Sequence, residues 1–144
     1  MMIVEDKLIE GRVRGLIDHV TEYRVVEALQ KYYHRDFHAY ENLSGPRIGL
    51  NKSIARVERE REETQVMYYL RAKSWMCKND ESVIHWASEF TDLNGRHWFA
   101  EKVSLAKWRD GKIYEEKYVY NLPVELSAPS TDECLFLQDL GRKI

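Results

Sequence analysis

The chain has 144 residues, 44% of them hydrophobic and 32% charged, a balance that excludes a disordered polypeptide and suits one globular domain spanning residues 1–144. Its 22 basic and 24 acidic residues are interspersed and leave a net charge of −2, so no field of one sign is available to hold nucleic acid or an anionic membrane surface. No window is apolar for long enough to span a bilayer, and the charges within MMIVEDKLIEGRVRG interrupt any signal-peptide core, which predicts a cytoplasmic protein.

From Ile3 to about Val20, apolar residues recur at Val4, Leu8, Ile9, Val13, Leu16, Ile17 and Val20, the spacing of an amphipathic helix. A second helix is predicted from about Arg24 to His34, with Val25, Ala28, Leu29 and Tyr32 on one stripe and Thr21 as its cap. At Asp36 the period changes to two, and a short strand runs through Phe37, Ala39 and Glu41 until Ser44, Gly45 and Pro46 stop it. Asn51 then caps a third helix whose buried stripe holds Ile54 and Val57. The charge run from Glu58 to Glu63 reads most simply as its solvated face.

From Gln65 to Asn121 the chain reads as four aromatic and β-branched runs. They are separated by hairpin signals at Lys78–Glu81, Asn94-Gly95 and Asp110-Gly111. Such links pair successive strands antiparallel, so a four-stranded meander follows the helices and the class is α+β. Nine Tyr, four Trp and four Phe suit strands and the wall of a binding pocket. Residues 122–144 form a C-terminal extension, in which Glu133 to Leu140 has the spacing of a short helix and a disordered tail is the alternative. Cys77 and Cys134 match neither a disulfide framework nor a zinc-ligand spacing and read as two reduced thiols, with a bridge between them as the alternative.

The motif Trp108-Arg109-Asp110-Gly111-Lys112-Ile113, followed by Glu115, Glu116 and Tyr120, closes this series of two helices, strand, third helix and meander. That order resembles the nuclear transport factor 2-like superfamily and, within it, the SnoaL-like polyketide cyclase and steroid Δ-isomerase branch. Tyr33 to Glu41 and Arg47 to Ile54 add weaker echoes, and the resemblance spans about residues 4–121. It implies a cone-shaped barrel: a curved, mostly antiparallel sheet packed on three N-terminal helices around a pocket, commonly in a dimer. The fold serves isomerases, cyclases, dehydratases and non-catalytic binders alike, so it does not settle function.

Period-two sorting and cross-strand pairing assign residues to faces. A two-residue turn at Asn94-Gly95 sets His85 opposite Ser104 and Ala87 opposite Lys102. At Asp110-Gly111 a two-residue turn sets Ser104 beside Lys117, whereas a Gly111 bulge sets it beside Glu116. The resemblance has a cavity-facing acid at the place of Ser104 and an aromatic at that of Tyr120, which favours the bulge. The predicted cavity face then carries Leu70, Ala72, Ser74, Met76, His85, Ala87, Glu89, Trp98, Lys102, Ser104, Glu116, Tyr118 and Tyr120. Ile84, Trp86, Phe99, Val103, Leu105, Ile113 and Val119 lie on an outer face that buries against a second subunit. The competing assignment makes that second face the core and leaves His85 solvated.

His85, Ser104 and Glu116 in one row would form a proton shuttle, or else a hydrogen-bonded polar row that only satisfies buried groups. Glu41 matches the position of the catalytic base of steroid isomerases, with Asn42 there instead if the register slips by one. The resemblance stops short of steroid isomerase chemistry, because Ser104 replaces the hydrogen-bond-donating acid and the first helix offers Asp18 or His19 where the oxyanion-binding tyrosine would lie. Lys102, Glu89, Trp98, Tyr118 and Tyr120 are candidate ligand-binding residues, with Lys102–Glu89 as a plain cross-strand ion pair in the blander reading. His34, His38 and His97 have no metal-ligand spacing, and no metal or cofactor motif occurs. The expected function is binding of a small apolar or aromatic ligand, with cofactor-free isomerase, cyclase or dehydratase chemistry on a carbonyl compound. The alternative is a non-catalytic binder or dimerisation module of the same fold.

Overall fold

A computed structural model describes residues 2–129 of the chain, with side chains from Ile9 onward. The predicted helix over residues 133–140 and Cys134 lie outside the described residues. The elements run α1 (Met2–Thr21), α2 (Val25–Tyr32), β1 (Tyr33–Glu41), β2 (Ser44–Ile48), α3 (Leu50–Glu63), β3 (Thr64–Lys78), β4 (Glu81–Asp92), β5 (His97–Arg109), β6 (Lys112–Tyr120) and β7 (Val124–Leu126). Three helices pack on one curved, open sheet of order β2-β1-β6-β5-β4-β3, with β7 added to β5. Among the described residues, only β1 and β6 pair in parallel. Among the described residues no helix is long and apolar enough to cross a membrane.

The helical spacing read from the sequence buries as predicted: Ile9, Val13 and Leu16 of α1 and Ala28, Leu29 and Tyr32 of α2 enter the core, where they meet Phe37, Ile84, Trp108 and Ile113. Gly15 explains how closely α1 and α2 approach, since a Cβ there would stand 2.2 Å from the Tyr32 hydroxyl. Two predicted caps fail. The Thr21 hydroxyl turns back to the carbonyls of Ile17 and Asp18, and Arg24 precedes α2 without a side-chain cap. Gly49, not Asn51, precedes α3: its φ of +99° turns the chain from β2 into the helix, while its N–H donates across to the Phe37 carbonyl of β1. On α3 an Arg56–Glu60 pair forms at 3.2 Å, four residues apart along the helix.

Ser44, Gly45 and Pro46 do not end the first sheet element but return it as β2, antiparallel to β1 with Ala39 opposite Arg47. A proline fits here because β2 is the sheet edge and its missing N–H leaves no ladder bond unmade. Asn42 makes the corner at φ +54° and fastens it to β6: its N–H donates to the Tyr118 carbonyl, and its Oδ1 accepts the Tyr120 N–H at 2.9 Å.

The meander forms with all four predicted strands, but its registers differ from those read off the turns. The link from β4 to β5 pairs Thr91 with His97, one residue away from the two-residue reading. Asp92 builds this longer loop, accepting the N–H groups of Asn94 and Arg96 at Oδ1 and the Trp98 indole N–H at Oδ2. These bonds, the Trp98 donor foremost, hold the Asp92 carboxyl below its usual range. A shift of one residue turns a whole strand over, so His85 pairs with Val103 and Ile84 with Ser104. Ile84, Trp86 and Ile113, expected outside, are core residues.

The β3 strand supported the wrong face because it is irregular. Shifts between Met67 and Tyr69 and between Ala72 and Ser74 split the apparent run. Leu70 and Ala72 pack on the core, whereas Ser74 and Met76 oppose His85 and Val83 on the other side. Asp110-Gly111 is a two-residue turn with both φ positive, 54° and 76°, and the bulge falls beyond it at Tyr114. Ser104 therefore lies opposite Tyr118, and Ala106 opposite Glu116.

Candidate functional site

The inner sheet face collects its polar groups around Glu116. Ala39 of β1 and Ala106 of β5 flank it. Glu116 is 2% exposed. The Tyr33 hydroxyl donates to its Oε1 at 2.7 Å, and the Tyr118 hydroxyl, two residues along the same face, donates to the same oxygen. Burial pushes the Glu116 carboxyl above its usual range, against the pull of the two hydroxyls and the Lys102 ammonium, and the Glu41 charge adds to the rise. Burial likewise lifts both phenols well above the ordinary tyrosine value, with the Glu116 charge as the next cause.

Glu41, opposite Tyr118 at the end of β1, forms the second polar centre. Its Oε1 accepts the Tyr120 hydroxyl at 2.9 Å and the Arg56 guanidinium at 3.3 Å, while Arg47 reaches Oε2 at 3.3 Å. Arg47 is itself steadied by the buried Ser53, whose Oγ accepts its Nε–H at 3.1 Å. Glu41 thus faces the inner cluster, and Asn42 is spent on β6 backbone.

Ser104 is buried beside Tyr118 and accepts the Trp86 indole N–H at 3.3 Å. Lys102 pairs with Tyr120, and its ammonium sits 4.6 Å from the centre of the Tyr118 ring. Trp98 occupies the same face further along β5, opposite Phe90. The structure therefore brings together Glu116, Ser104, Glu41, Lys102, Tyr118 and Tyr120.

It does not bring His85 or Glu89 to them. His85 lies on the opposite face, its Nε2 2.6 Å from Glu101 Oε2, with Lys73 Nζ 3.5 Å from the same oxygen. The predicted row of His85, Ser104 and Glu116 does not form, because the Asp92 loop inverts β4 relative to β5. Glu89 follows the same inversion: it is buried opposite Phe99 and Tyr69, so the expected pairing with Lys102 is absent. Tyr33, Arg47 and Arg56 went unforeseen. Each reaches the cluster from a different element, and no local pattern marks such a meeting; only the adjacency of Tyr33 to the strand entry was a clue. Among the described residues no set of three His, Cys, Asp or Glu side chains gathers as a metal site.

The Glu116 proton couples to stability with a definite sign. A carboxyl whose folded-state value is raised binds its proton more tightly in the folded chain, so its stabilising contribution is present at low pH and is lost as pH rises through the folded value. Thermal melts of wild type and Glu116→Gln at about pH 5 and about pH 8 should show the wild type losing stability relative to the variant on the alkaline side, at up to ~1.4 kcal/mol per pH unit. Parallel curves would place the Glu116 proton elsewhere.

Three helices over an open, curved sheet with its polar groups on the helix-facing side define an α+β cone of the nuclear transport factor 2-like type. A protein described as a SnoaL-like polyketide cyclase, from Jannaschia sp. CCS1, superposes with a TM-score of 0.70 at 13% identity over 81% of this chain and 87% of its own. An NTF2-like protein of unknown function from Burkholderia pseudomallei K96243 gives 0.68 at 15% identity, over 79% and 91%. TerC, co-crystallised with polyporic acid, gives 0.66 at 16% identity, over 79% and 92%. At these identities the likeness is one of fold. No protein-family model and no curated protein matches the sequence.

Proposed function

We propose that the chain binds a small carbonyl compound against the inner sheet face and moves a proton on it without a cofactor, with Glu116 as the proton carrier. The observation that carries this reading is a buried carboxyl, raised above its usual range, bridged to two tyrosine hydroxyls beside a second carboxylate held by two arginines. A carboxyl so raised is a stronger base when ionised and holds its proton to higher pH than an ordinary carboxyl. The step is an enolisation: Glu116 takes the proton from the carbon next to the carbonyl, and the electron pair moves onto the carbonyl oxygen. Tyr118 or Lys102 meets that oxygen, and Glu116 returns its proton to carbon. Glu41 acts as a positioning residue that fixes Tyr120, Arg47 and Arg56. TerC, of the same fold, was co-crystallised with polyporic acid, which supports the reading of this fold as a binder of small organic molecules.

The experiment is proton–deuterium exchange. Small ketones incubated with the protein in D2O should lose their α-proton NMR signals faster than in buffer. Ketones that bind without any acceleration would favour the second reading, a non-catalytic binder. That reading draws on the same double hydroxyl contact, which leaves Glu116 Oε1 well satisfied.

The outer sheet face supports a homodimer. Met76, Leu105 and Val119 are 66%, 40% and 52% exposed there and adjoin Val83 and Val103 through cross-strand pairs. Sedimentation should give a dimer for wild type and a monomer for Leu105→Glu combined with Val119→Glu. A monomeric wild type at tens of micromolar, roughly the range where a standard-sized interface persists, excludes this interface.

A further inference from the structure

The inner face holds three cations close to Glu41 and Glu116, and they are not equivalent. Arg47 and Arg56 each contact Glu41 at 3.3 Å, and Arg56 also holds Glu60 at 3.2 Å. Lys102 forms no ion pair among the described residues. Its ammonium rests over the Tyr118 ring, 4.6 Å from the centroid, and its backbone lies between Trp86 on β4 and Tyr120 on β6. A ring face holds an ammonium in place but leaves its donors unused.

We propose that the site is selective for organic acids, the ligand carboxylate resting on Lys102 and its carbonyl-bearing end lying against Tyr118 and Glu116. This rests on the reading of the inner face as a ligand site and adds the charge of what it takes. The geometry assigns the parts: among the described residues Lys102 is the cation beside Tyr118 that no carboxylate holds, and it adjoins the acid–base pair through the ring of Tyr118 itself. Trp98 on the same face, only partly buried, supplies flat apolar area for the body of the ligand. Burial also favours the protonated form of Glu116, which leaves the Lys102 charge the less opposed. Lys102 is exposed, so its replacement removes little packing.

The test uses matched pairs, a panel of aromatic keto acids such as 4-oxo-4-phenylbutanoate and the methyl ester of each, with binding followed by ligand-observed NMR. Wild type should prefer the acids, and the preference should shrink as salt is raised. Lys102→Gln should weaken the acids about tenfold and the esters less than about twofold, whereas Lys102→Arg restores much of the preference. Thermal melts confirm that both variants fold. Esters that bind as well as acids, or an acid preference unchanged in Lys102→Gln, overturn the charge selectivity and leave the ligand site standing. Binding of neither set overturns the ligand site as well.

Discussion

Glu116→Gln should reduce α-proton exchange of bound ketones by about 10²–10⁴-fold, the usual contribution of a positioned acid–base group, while the protein remains folded. Gln keeps the volume and an acceptor oxygen for the Tyr33 and Tyr118 hydroxyls, so the loss isolates the proton carrier from the packing around it. The pH profile separates this role from a structural one. Because burial raises the Glu116 carboxyl, exchange should rise with pH through an apparent value above the ordinary carboxylate range. Tyr118→Phe removes a hydroxyl that pulls that value down, so its profile should move to still higher pH. Exchange by Glu116→Gln equal to wild type, or a Tyr118→Phe profile displaced toward lower pH, would remove Glu116 from the chemistry.

Trp108→Ala should destabilise the domain by about 3–5 kcal/mol, the range for deleting a buried aromatic. The indole is 2% exposed within the core shared by α1, α2, β1 and the meander, and its N–H donates at 2.9 Å to the Ser82 Oγ, itself 1% exposed. Truncation opens a cavity and deprives a buried hydroxyl of its donor, and the two costs add. For a domain of this length the shift is roughly 10–20 °C in melting temperature, large against a total stability of about 5–15 kcal/mol. Trp108→Phe retains most of the volume and should cost about 1–3 kcal/mol, chiefly through Ser82. Equal melting of Trp108→Ala and wild type would show that this part of the core is not closed as described.

These two residues differ in how they could be read. Trp108 stands in the motif that holds Asp110-Gly111, and local chemistry explains its surroundings: two residues at positive φ make the tight turn. Glu116 was foreseen as an inward-facing acid, and correctly grouped with Ser104, Tyr118 and Tyr120, yet through a bulge placed at the wrong residue. Moving the bulge from Gly111 to Tyr114 changes the cross-strand partner of Ser104 by two, which preserves the face. The Asp92 loop changes the register of β4 by one, which reverses it. His85 was lost to the site for that reason alone.

The sequence by itself determined the α+β class, the three helices and the four strands of the meander. Helical and strand periods are local properties, and so are the turn residues that separate them. Tertiary structure alone decided which face of each strand is the inner one. That depends on whether a loop or bulge holds an odd or even number of residues, and here it was decided by contacts such as Asp92 to Trp98 and Asn42 to Tyr120. It also decided that Tyr33 and Tyr118 share one oxygen of Glu116, with 83 residues of chain between Tyr33 and Glu116, since β1 and β6 pair in parallel.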